Sequence, residues 1–197
     1  VGLGRAFVMT LGQSELFVPQ PTKKLIVPAG RNAWWGVDSS TKRVAIGVVN
    51  AAGERYGNIA AIEPSEGATR LAAIYRRTVM LSAEYLQVAD RPGVIVVEAA
   101  AGFGKRPNPE LAYAVGAVLA GLGAACPGVA VQMVIGSKWK LEVCGFGGIK
   151  KPKPTAKEEY AVLKWAREHG YGGLSWDEAD AWAIADYARR TYALEER

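Results

Sequence analysis

Nitrogen and sulfur ligands are scarce in this chain: 197 residues hold one histidine, His169, and two cysteines, Cys126 and Cys144. No zinc-ligand spacing can be built from so few, and no disulfide framework either, so both cysteines read as reduced, buried thiols. Long apolar runs are also missing. The opening VGLGRAFVMTLGQ is too short in its apolar part, and too broken by glycine, for a secretory core, and no stretch approaches the ~20 residues of a membrane span. The expectation is a cytoplasmic protein with no membrane partner. Internal repeats are absent as well.

What is present is an ordinary globular composition, 50% hydrophobic and 22% charged, long enough for one domain with a sizeable core. The net charge of +5 leans towards acidic partners, nucleic acid foremost. From Trp34 onward, apolar runs predict three consecutive strands over 34 to 38, 44 to 49 and 55 to 62. A helix follows, with Leu71, Ile74, Thr78, Leu81 and Tyr85 at helical spacing, closed by DRPG. GVIVVE reads as a buried strand ending in Glu98, and Asn108 and Pro109 cap and open a second helix. VAVQMVI is another buried strand. Two helices close the chain, opened by Thr155 with Glu158 and by Ser175 with Glu178 in capping-box spacing; Gly170 stops the first. The order is β-β-β-α-β-α-β-α-α, a mixed α/β sheet flanked by helices. Residues 1–33, punctuated by proline, read as an arm or added edge strands, and GFGGIKKPKP (145–154) as a linker.

Asp38 poses the chemical question, because it ends one apolar run just before another begins. A buried unpaired carboxylate costs several kcal/mol, so the strand either brings Asp38 to an open edge or supplies a cation. The alternative is that Asp38 simply opens an Asx turn in DSSTK. Three other acids bear on the choice. Glu98 ends the fourth strand, while Asp177 and Asp180 stand three apart on the last helix and share a face. If the first and fourth strands are neighbours, the four acids converge, and such a cluster needs hard divalent cations, Mg²⁺ or Mn²⁺, to offset its repulsion. Glu178 is accounted for by its capping box. Asp177 would suit a first helical turn in any case, but Asp180 lies among alanines on a face that looks buried.

Four segments, GVDSSTKRVAIG, VIVVEAAAGFGKRPNPELAYAVGAVLAGL, SKWKLEVCGFGG and DEADAWAIADYARR, in this order resemble the RuvC-type Holliday-junction resolvases of the RNase H-like superfamily, in their short bacterial and phage forms. The resemblance covers roughly residues 34–190. It implies an RNase H-like fold over 34–197 and a metal-dependent endonuclease that resolves branched DNA as a homodimer. It places the catalytic carboxylates on Asp38, Glu98, Asp177 and Asp180, holding two Mg²⁺ or Mn²⁺ per site. Departures are Ser39 and Ser40, where the family has proline-glycine, and residues 1–33, which have no counterpart.

The resemblance also implies DNA contact from Phe103 and Lys105, although Phe103 serves equally well as a loop aromatic plugging the core. The basic residues Lys138, Lys140, Lys150, Lys151, Lys153 and Lys157 are either a solvated face or a track for the DNA backbone. AAAGFGKR fails as a phosphate-binding loop, since Ala99 replaces its leading glycine and Arg106 its Ser/Thr. Together with a chain too short for the two lobes of an actin-like ATPase, this argues against a nucleotide cofactor. An RNase H-like nuclease for other branched DNA or RNA·DNA hybrids, and an inactive DNA-binding module, remain the alternatives.

Overall fold

The computed structural model describes residues 23–27, 29–61, 67–99, 108–145, 160–171 and 175–196. The elements run β1 (Lys23–Val27), β2 (Ala33–Ser39), β3 (Arg43–Asn50), β4 (Arg55–Ala61), α1 (Gly67–Val88), β5 (Pro92–Glu98), α2 (Pro109–Ala125), β6 (Ala130–Val134), α3 (Gly136–Cys144), α4 (Ala161–Glu168), α5 (Trp176–Thr191) and β7 (Tyr192–Glu196). The main sheet has the order β4-β3-β2-β5-β6. Its first three strands form an antiparallel meander, and β2, β5 and β6 run parallel. This is the expected mixed α/β sheet.

Alternation along the strands sorts the core into two layers. Trp35, Val37, Ile46, Ile95 and Val97 face α1 and α2, whose Ile74, Leu81, Val118 and Leu122 cover them. Val94 and Val96 face the other way, towards Trp139 of α3, Trp165 of α4 and Ile184 of α5. On that second face β2 carries Gly36, and β3 pairs it with Gly47. A Cβ on Gly36 would run into the Ala181 carbonyl and the Ala185 amide, and one on Gly47 into Trp182. The paired glycines thus let the α5 backbone lie directly on the strands, an approach any side chain would block.

The caps behave as the sequence predicts. The Asn108 side chain accepts from the Leu111 amide at 3.3 Å, with Pro109 opening α2. Ser175 and Glu178 form a reciprocal box at α5, the Ser175 amide donating to Glu178 Oε2 at 2.8 Å. Three elements differ from the sequence reading, the first being β7, a strand after the helix expected to close the chain. α3 arises where no helix is expected: it is short, its N-cap Ile135 makes no side-chain bond, and Gly145, placed at the head of the expected linker, is its left-handed C-cap. α4 opens after Tyr160, whose backbone is extended, while Thr155 and Glu158 lie outside the described residues.

A second, two-stranded sheet pairs β1 with β7 in parallel. β7 continues from α5 without a break, and the Trp34 indole N–H donates to the Tyr192 carbonyl at that junction, 2.8 Å away. Leu194 packs over Gly93 at the start of β5. The ribbon is thereby fixed to the edge of the main core.

Candidate metal and nucleic-acid site

Register brings the first two acids together. Val37 of β2 pairs with Val97 of β5, so Asp38 and Glu98 follow side by side at the carboxyl ends of neighbouring parallel strands. Parity does the rest. Asp38 shares a face with Gly36, and Glu98 with Val94 and Val96, so both acids belong to the face covered by α5. Ala181 lies over Gly36, and the preceding turn of α5 therefore carries Asp180 and Asp177 towards the same end of the sheet.

Each of three acids has a donor from the chain itself. Asp180, 1% exposed, accepts the Tyr160 hydroxyl at 2.7 Å on Oδ1. Glu98 Oε2 accepts the Trp139 indole N–H at 3.1 Å, and Gly136 leaves room for the same carboxylate at the start of α3. The positive end of that helix favours a negative group there. Asp177 meets Arg43 at 3.3 Å, both on the solvent side of the cluster. Burial pushes the Tyr160 phenol far up, helped by Asp180 and then by Asp38 and Glu98. The phenol therefore stays protonated, and its surroundings carry the field of three carboxylates.

Of the expected DNA contacts, Lys138 is half exposed and 4.0 Å from Glu142. Lys140 lies over the Trp139 ring, 4.8 Å from its centroid. Phe103, Lys105, Lys150, Lys151, Lys153 and Lys157 lie outside the described residues. Sequence reasoning missed Tyr160, Trp139 and Arg43. A tyrosine inside an apparent helix carries no sign of its partner, and Trp139 fell in a segment with no assigned element. Gly36 and Gly47, each an isolated glycine in a strand of larger residues, are the sequence signal that could have pointed to close backbone approach.

The donor set fits a hard divalent cation in kind: four carboxylates, all oxygen, with no thiol or imidazole among them. Among the described residues, no three His, Cys, Asp or Glu side chains yet stand close enough to hold one ion between them. Asp38, Glu98 and Asp180 would hold it, with Asp177 at the solvent side.

Of the two free thiols, Cys126 is buried as expected, whereas Cys144 is only half-buried and feels Asp180 of the cluster. Burial, with Asp180 adding, pushes Cys144 up to about 12 against the pull of Arg190 and Lys140. Burial likewise takes Cys126 to about 11, against Arg31 and Arg91. Both remain protonated in the fold, whereas an unfolded thiol ionises near 9, so the stabilisation is full below that pH and fades as pH rises towards the folded values. The urea midpoint should fall steadily from pH 9 to pH 11. A flat midpoint would contradict the assigned burial.

No protein-family model matches the chain, and no curated protein matches it in sequence. Solved structures do match in shape. Thermus thermophilus RuvC superposes with a TM-score of 0.57 at 24% identity, over 80% of this chain and 95% of that one. T. thermophilus RuvC in complex with Holliday junction substrate gives 0.55 at 24% identity, over 81% and 96%. The likeness is one of fold: this chain has the RuvC-like, RNase H-like α/β architecture. No described helix is long and apolar enough to cross a membrane.

Proposed function

We propose that this chain is a divalent-cation-dependent endonuclease for branched DNA, with the four-way junction as its preferred substrate, acting in the cytoplasm. The observation that carries the reading is the meeting of Asp38 and Glu98, ends of adjacent parallel strands, beneath the helix that bears Asp177 and the buried Asp180. An acidic cluster at a strand end offers little to a DNA backbone unless cations intervene. Bound there, a pair of Mg²⁺ or Mn²⁺ ions supplies an activated water and charge stabilisation for in-line phosphodiester hydrolysis.

The chain's own residues have separable tasks. Asp38 and Glu98 are fixed by strand register, Asp180 by its bond to Tyr160, and Asp177 is left at the entrance beside Arg43. Lys138 and Lys140 on α3 would track the backbone without reading bases, joined by Lys105, Lys150, Lys151 and Lys153, with Phe103 as the aromatic that approaches the junction. A junction presents two symmetric scissile phosphates, which suits a two-fold homodimer; Tyr75 and Met80 of α1 and Tyr113 of α2 are exposed apolar contributors.

The test is cleavage of labelled four-way junction, fork, flap, duplex and RNA·DNA hybrid, each with Mg²⁺, Mn²⁺ and chelator. Symmetric, cation-dependent nicking of the junction is the expected result. Preference for the hybrid or flap would move the protein to another RNase H-like substrate. Junction binding with no cleavage in either cation would make it an inactive binding module.

A further inference from the structure

Resting on that reading of the acidic cluster, we propose that Tyr160 is a positioning residue of the site: its hydroxyl holds the Asp180 carboxylate in place for divalent-cation binding. Local structure does not account for a tyrosine here. Tyr160 is the N-cap of α4, a place that favours Ser, Thr, Asp or Asn, and its side chain makes no capping bond. The side chain instead turns inward, 1% exposed, and its hydroxyl reaches Asp180 Oδ1 at 2.7 Å. The Trp176 ring, 5.6 Å away in a tilted arrangement, braces the phenol from the first residue of α5.

The residues that flank Asp180 on its own helix are alanines. Its neighbours Ala179, Ala181 and Ala183 are fully buried methyl groups that pack without donating a hydrogen bond. A carboxylate turns about two side-chain bonds, and the Tyr160 hydroxyl on Oδ1 restricts the plane in which the Asp180 carboxylate can meet a cation. Groups of this kind, one step behind the ligand, typically set metal affinity as strongly as they set geometry. A tyrosine serving only as a core aromatic would satisfy its hydroxyl and do nothing more.

The two roles separate in Tyr160→Phe, which deletes one oxygen. Mn²⁺ titrated calorimetrically into the protein without DNA should bind roughly 10–100-fold more weakly than to wild type. Junction cleavage should need correspondingly more Mn²⁺ for half-maximal rate, with the rate at saturation largely kept. Unchanged Mn²⁺ affinity in a folded Tyr160→Phe would overturn the proposal and leave Tyr160 a core residue. If wild type itself binds no Mn²⁺ and cuts nothing, the reading of the whole cluster falls and this proposal with it. Should Tyr160→Phe not fold, the double variant Tyr160→Phe/Asp180→Asn decides, because it removes the buried charge together with its donor. Recovery of the fold supports the pairing, and a double variant as unfolded as the single one overturns it.

Discussion

Asp38→Asn is expected to lower junction cleavage on the order of 10³-fold while leaving the fold and junction binding intact. The substitution keeps the shape of the side chain and any hydrogen bond it makes to the turn, and removes only the charge. Ser40 already organises that turn: its hydroxyl accepts from the Lys42 and Arg43 amides at 3.2 and 3.0 Å. An Asx role for Asp38 would make asparagine harmless, because asparagine serves such a turn as well as aspartate does. A cation-binding role makes it ruinous. Binding should persist or tighten, since one anion fewer faces the phosphates. Glu178→Gln supplies the contrast, since its carbonyl oxygen can still accept from Ser175, as Glu178 Oε2 does at 2.8 and 2.9 Å, and most activity should survive. Near-wild-type, Mg²⁺-dependent cleavage by Asp38→Asn would sink the nuclease reading.

Gly36→Val should cost more stability than any other single change considered, about 4 kcal/mol or more. The new side chain would need the space held by the Ala181 carbonyl and the Ala185 amide, both backbone atoms in the middle of α5. No rotamer avoids backbone, so either the helix lifts from the strands or the fold gives way. Lifting the helix also carries Asp180 and Asp177 away from Asp38 and Glu98, so activity should vanish even where some structure remains. Gly116→Ala on α2 is the control, because nothing lies within 4 Å of its missing Cβ. Removing a helical glycine there should stabilise by roughly 0.5–1 kcal/mol. Urea unfolding of the two variants side by side measures the difference, and equal midpoints would refute the close packing of α5 on β2.

The strands of the meander, α1, α2 and the α5 capping box were legible because each rests on local signals: alternation, helical spacing and side chains suited to helix ends. Asp38 and Glu98 could be paired in advance only by supposing that their strands were neighbours, and the Val37 to Val97 register supplies that. What stayed hidden was non-local. α3 lacks both a capping side chain and a clear apolar stripe, and its Trp139 matters because of Glu98, 41 residues away. Tyr160 looked like one more position in a helix that in fact begins after it. Arg43 read as a turn residue, and its contact with Asp177 spans 134 residues. Nothing in the sequence of β1 announced β7 as its partner.

That last pairing has a kinetic side. β1 and β7 are separated by nearly the whole described chain, yet they lie in register from Lys23 opposite Tyr192 to Val27 opposite Glu196. Closing so long a loop is costly before the intervening core exists, so this ribbon should be among the last parts to form. Two strands by themselves are also marginal in water, and Ile26 is 60% exposed on this one. Amide hydrogen exchange should therefore find β1 and β7 opening together, at a lower free energy than β2 and β5, in a sub-global step that leaves the central sheet closed. Because β7 continues from α5, such an opening would fray the far end of the helix that carries the acids while the end nearer to them stays capped by Ser175.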